Sequence, residues 1–158
     1  MGSSRRFSIC CAFMGILFAF SASVQLNDQD WYLWLPLYSL ASAVNMMAVV
    51  NMNRARWSRD IVDITFWLGL TLFVKVVLEA CLWETDALKW REFLSLDMER
   101  KLVREKLGSG QVIISMWLHS KASLSSQNVR SRIELGMILL VAVNGCLCLL
   151  FFLTVDKI

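Results

Sequence analysis

Proline occurs once in this chain of 158 residues, histidine once and tyrosine twice. A single histidine, His119, cannot by itself make a haem pair or a zinc site, and at a helix end it reads as a polar boundary residue. One Pro and seven Gly exclude a low-complexity or disordered chain. Charge is also scarce: 18% of residues are Asp, Glu, Lys or Arg, against about 25% in soluble domains. The net charge of +3 forms no basic stripe, which excludes the common nucleic-acid modules. No Ser/His/Asp set, Gly-rich phosphate loop or HExxH motif is present. The cysteines, Cys10, Cys11, Cys81, Cys146 and Cys148, all lie in apolar runs. Their odd number is a poor disulfide framework, and their spacing suits no metal. They read as small apolar side chains.

What the chain has instead is hydrocarbon. Its apolar fraction is 57% and its mean hydropathy +0.54. Phe7 to Leu26 and Trp31 to Val50 carry no charge. Ile61 to Trp83 contains Asp63, Lys75 and Glu79, and Ile133 to Val155 contains Glu134. Each run matches a bilayer core, which needs about 20 residues at a rise of about 1.5 Å each. Four such runs cannot all be core helices of an 18.1 kDa soluble protein, because too little polar surface would remain to cover them. In lipid they must be helices, since a helix satisfies its own backbone hydrogen bonds. The basic start and Ser21-Ala22-Ser23 also fit a signal peptide, but the first run is long for one.

Two stretches read differently. From 88 to 106, Trp90, Phe93, Leu94, Met98, Leu102 and Val103 recur at helical spacing, with charges on the other face. This predicts an amphipathic helix on the membrane surface, or a solvated connecting helix. Residues 107 to 119 are apolar but short for a straight crossing. They cross together with part of the preceding helix or re-enter, and Gly108 and Gly110 allow a bend. The expected fold is therefore all-α: one domain, 1–158, forming a polytopic membrane helical bundle. It has four long transmembrane helices, about 7–26, 31–50, 61–83 and 133–155. One short or tilted membrane segment (107–119) and a surface amphipathic helix complete it. Arg5 and Arg6, then Arg54, Arg56 and Arg59, then Lys121, Arg130 and Arg132 precede alternate segments. Five crossings put all three sets on the cytoplasmic side.

Between the first two runs stands a polar tetrad, Asn27-Asp28-Gln29-Asp30. It predicts a hairpin turn whose acids cap the next helix and favour its N-terminus. Trp31, Tyr32 and Trp34 would sit at the water interface. Val24-Gln25-x-Asn27-Asp28-x-Asp30, then Trp34 and Tyr38, resembles the signature of the transmembrane protein 220 family. Gly110, Ile113-Ile114, Trp117, His119-Ser120 and Arg132-Ile133 are similar to it as well. The family commonly has Pro where Gln29 stands here. The resemblance implies a small multi-pass membrane protein with an intact first helix. It carries over no catalytic residue, because the family has no established activity.

The candidate site residues are therefore of two kinds. Gln25, Asn27, Asp28, Asp30, Trp34 and Tyr38 form the polar hairpin motif. With Glu79, Glu84 and Asp86 on the same side, its oxygens could hold a hard cation, although capping and solvation explain the same residues. Lys75 and Glu79, four residues apart inside a span, form an intramembrane charged pair: a proton or ion path, or a paired contact facing the bundle. Small residues at four-residue spacing, Gly15, Ala19 and Ser23, then Ser39 and Ala43, read as packing seams. Asn45 and Asn144 can hydrogen-bond across helices. The expected function is that of a multi-pass integral membrane protein, non-enzymatic, acting through helix or lipid interactions. The alternatives are a small transporter or channel component using Lys75 and Glu79, and an integral-membrane enzyme that no constellation supports. The lipid bilayer is the expected partner, with a membrane protein or a homo-oligomer beside it. No nucleic acid, cofactor or metal is expected.

Overall fold

The computed structural model describes residues 5–27, 30–50, 56–82, 101–124 and 127–155. Every element among them is a helix: α1 (Arg5–Gln25), α2 (Trp31–Val49), α3 (Arg56–Leu82), α4 (Lys101–Leu124) and α5 (Gln127–Val155). Three of these stretches are long and apolar enough to cross a membrane: Arg5–Gln25, Trp31–Val49 and Arg59–Glu79. The shortest, α2 with 19 residues, spans about 28 Å at about 1.5 Å per residue, close to a hydrocarbon core. Pro36 is the sixth residue of α2 and does not end it. Its missing N–H frees a carbonyl one turn earlier, near the helix start.

The helices pack as two antiparallel pairs. α1 lies along α2 and α3 along α4; α2 joins the pairs, and α5 rests on α1 and α4. The register is visible in single contacts. Ser42 donates to the Gly15 carbonyl at 2.8 Å. Gly15 lies so close to Met46 that an added Cβ would stand 3.0 Å from its Cε. Gly69 of α3 faces Leu37, Val112 and Ile113 at ordinary contact distance. Successive helices thus run in opposite directions, and α2 and α4 run parallel.

The inside and outside of the bundle are both apolar. Trp34, Leu37, Tyr38, Ala41 and Val44 of α2 pack into a core with Val76, Val112, Met116 and Met137. Ile9, Phe13, Ile16, Phe20 and Val24 of α1 are all more than half exposed. On α4 polar and apolar side chains share the inner face: Ser109, Ser115 and His119 are buried beside Val112 and Met116, while Ile114 and Trp117 point out. Such an outer surface would drive association in water and is at rest in lipid.

Several expectations change in detail. The stretch 107–119 is not a separate short segment: it lies within α4, a continuous helix of 24 residues. Gly108 is a packing position rather than a hinge, since a Cβ there would strike the Tyr38 hydroxyl. Of the expected amphipathic helix, 83–100 lies outside the described residues, and 101–106 forms the first turns of α4. The small-residue seams also differ. Gly15 and Ala22 are buried on α1, and Ala41 and Ala48 on α2, while Ala19, Ser23, Ser39 and Ala43 face outward. A four-residue step overshoots a helical turn by about 40°, so a strict four-residue series leaves the contact line.

Candidate functional site

The turn between α1 and α2 begins the site. Asn27 is exposed, and Asp28 and Gln29 lie outside the described residues. Asp30 is the N-cap of α2, and its carbonyl accepts from the Leu33 N–H at 3.0 Å. Its side chain makes no capping hydrogen bond, contrary to expectation. With φ −99° and ψ 22°, Asp30 is already outside the extended region from which a cap side chain reaches back to the helix N–H groups.

Below the turn the motif points inward. Trp31 and Tyr32 are exposed, whereas Trp34 is fully buried in the bundle. Trp34 and Phe18 lie near-parallel to Tyr38, with ring centroids 6.2 Å and 6.3 Å from it. The Tyr38 hydroxyl rests on Gly108, so this aromatic stack joins α1, α2 and α4. Two polar atoms of the motif are buried without a hydrogen-bond partner, Gln25 Oε1 and Trp34 Nε1.

Lys75 and Glu79 meet at 2.9 Å across one turn of α3, both partly exposed. The carboxylates of Asp30 and Glu105 act on Lys75 through space. One end of the bundle therefore gathers Asp30, Lys75, Glu79 and Glu105, drawn from three helices. Of the acids proposed for a cation site, Asp28, Glu84 and Asp86 lie outside the described residues. Among the described residues no group of three or more His, Cys, Asp or Glu could hold a metal ion.

A second polar cluster lies near the opposite end. His119 lies near the end of α4, as expected, but its side chain is buried. Its Nε2 stands 3.1 Å from Asn45 Oδ1 and 4.0 Å from Cys11 Sγ. The Phe7 ring meets it edge-on, with centroids 5.7 Å apart. Asn45 donates from Nδ2 to the Ala41 carbonyl at 2.8 Å and to Ser115 Oγ at 3.3 Å. Both amide hydrogens are thus used, so Oδ1 is the acceptor and Nε2–H the donor. Cys11 and Asn45 converge on the same ring nitrogen. The cluster ties α1, α2 and α4 together. Asn144 makes a smaller tie, donating to Met14 Sδ at 3.6 Å and to the Leu140 carbonyl at 3.1 Å.

A family model described as transmembrane family 220, helix, matches residues 17–121. The chain belongs to transmembrane family 220. No solved structure matches it. The match runs from the second half of α1 to the last turns of α4, so it contains the hairpin motif, the Lys75–Glu79 pair and His119. The family and the three apolar helices together make this a membrane protein.

This family 220 chain hides part of its site from a reading by hydropathy. In the sequence Glu105 belongs to a charged connector and His119 to a helix end, and nothing singles out Ser109 or Ser115. The four share one signal: their spacings of four, six and four residues keep them near one face of α4. All four are buried. Ser109 satisfies its hydroxyl on the Glu105 carbonyl at 2.7 Å, as Thr65 does on Ile61 at 2.7 Å.

Proposed function

We propose that this protein is a multi-pass, non-enzymatic membrane protein that acts through its helix and lipid contacts. All five helices cross the bilayer, alternating in direction. The ends carrying Arg5, Arg6, Arg59, Lys121 and Arg132 lie on the cytoplasmic side, and the C-terminus lies on the other. The observation that carries this reading is the apolar outer surface, Ile9, Phe13, Ile16 and Phe20 on α1 and Ile114 and Trp117 on α4, while Ser109, Ser115 and His119 are held inside. The polar groups at the core are engaged with one another: His119 with Asn45, and Asn45 with Ser115. That engagement suits a structural tie better than turnover. Partners that fit such a surface are lipid, another membrane protein or a second copy of the chain. The topology is tested by placing glycosylation acceptors in each connecting segment. Modification only after α1, after α3 and at the C-terminus is the expected pattern, and modification between α2 and α3 sinks it.

A second reading has its own observation. Lys75 and Glu79 pair within a candidate span, with Asp30 and Glu105 acting on Lys75. Such groups also mark ion and proton paths. In reconstituted vesicles, K75L/E79L abolishes a flux that uses the pair. A flux that survives the double change removes the transporter reading. A structural protein keeps its fold and its contacts with the pair replaced.

A further inference from the structure

We infer that the basic end of the bundle is a docking surface for the anionic headgroups of phospholipids in the adjoining leaflet. The inference rests on the membrane reading above. Arg5 and Arg6 begin α1, Arg59 lies in the first turn of α3, Lys121 in the last turn of α4 and Arg132 in the second turn of α5. The contacts of His119 with Phe7 and Asn45, and of Leu118 with Gly136, bring these ends to one side of the bundle. All five cations are exposed. The ion pair Lys75–Glu79 lies at the far end. Among the described side chains the acids on the basic side are Asp60, Asp63 and Glu134, fewer than the five cations. At the other end, among the described side chains, the acids Asp30, Glu79 and Glu105 stand beside Lys75 and Lys106.

The apolar neighbours of these cations select the ligand. One turn from Arg5 and Arg6 stands Ile9, one turn from Lys121 stands Trp117, and three residues from Arg132 stands Leu135. Each of these apolar side chains is about half exposed or more. Charge for a headgroup and grease for its acyl chains thus sit side by side on three helices, as a phospholipid requires. Lys121 Nζ lies 5.9 Å from the centre of the Trp117 ring, on the outer face of α4. An indole at headgroup depth with a lysine reaching past it marks the interface and places the ammonium at the phosphates. A soluble acidic protein or nucleic acid would meet the charges but not the apolar neighbours.

The test uses the full chain, purified in a zwitterionic detergent and mixed with equal amounts of phosphatidylserine and phosphatidylcholine. Native mass spectrometry counts the lipids retained. A basic residue near the surface favours an anionic lipid about fivefold, so a preference for phosphatidylserine of at least about fivefold is expected. Raising the salt from about 0.1 M to about 1 M should shrink it in the parent protein, because the charges are screened. R5Q/R6Q/K121Q/R132Q should bring the ratio toward one with an unchanged helical circular dichroism spectrum. K75Q/K106Q, at the other end, should leave the ratio alone. Equal retention of the two lipids by the parent, a salt-independent ratio, or an equal loss in K75Q/K106Q would each overturn the inference. Extraction of the chain by alkaline carbonate would instead remove the membrane reading beneath it. A carbonate-resistant chain without lipid preference would remove only the docking surface.

Discussion

Asn45 offers the sharpest test of the packing described here. It is fully buried and bonds to the Ala41 carbonyl, to Ser115 and to His119. Asn45→Ala removes two bonds between helices, each worth about 0.6 kcal/mol in a membrane bundle. It also strands the His119 N–H in the interior, at a cost of about 1–3 kcal/mol. The expected loss is therefore about 2–4 kcal/mol. His119→Leu removes the same contact from the other side and leaves Asn45 Oδ1 stranded. In N45A/H119L neither group is stranded, so the double variant should be more stable than the sum of the singles by about 1–3 kcal/mol. Unfolding by increasing fractions of sodium dodecyl sulfate in mixed micelles, followed by far-ultraviolet circular dichroism, measures all four proteins. Single losses that add to within about 0.5 kcal/mol would mean that the two side chains do not meet, and the assignment of His119 as a tie between helices would fall.

Two glycines two residues apart should respond in opposite ways. Gly108→Ala drives a Cβ into the Tyr38 hydroxyl and should cost about 1–3 kcal/mol, with Y38F restoring much of it in the same unfolding assay. Nothing lies within 4 Å of a Cβ on Gly110, so Gly110→Ala should stabilise by about 0.4–1 kcal/mol; equal effects at the two sites would contradict the α2–α4 contact. Trp34→Phe removes a buried indole N–H that has no partner. Relief of about 1–3 kcal/mol from that stranded donor should offset most of the lost ring contact. A midpoint that drops as far as in Trp34→Ala would show that the indole N–H is bonded after all.

How much of this was legible in the chain depends on the residue. Trp31, Tyr32 and Trp34 are alike in composition, yet the first two face outward and the third fills the core. In a soluble protein water would separate them, because a buried face is apolar and an outer one polar. Here lipid and core both accept an aromatic ring, so hydropathy is silent on which way it points. Polar side chains carry the missing signal. Glu105, Ser109, Ser115 and His119 lie near one face of α4 because a polar group is costly against hydrocarbon and tolerable against another polar group.

The sequence by itself determined that there are long apolar helices and that the chain resembles a transmembrane family. Those properties follow from the thickness of a bilayer and from local runs of side chains. Only the tertiary structure decided that Gly108 accommodates Tyr38, that Asn45 and His119 bond, and that 101–124 is one helix. These depend on the rotation and register of helices far apart in the chain, which are set by matching surfaces rather than by any one segment.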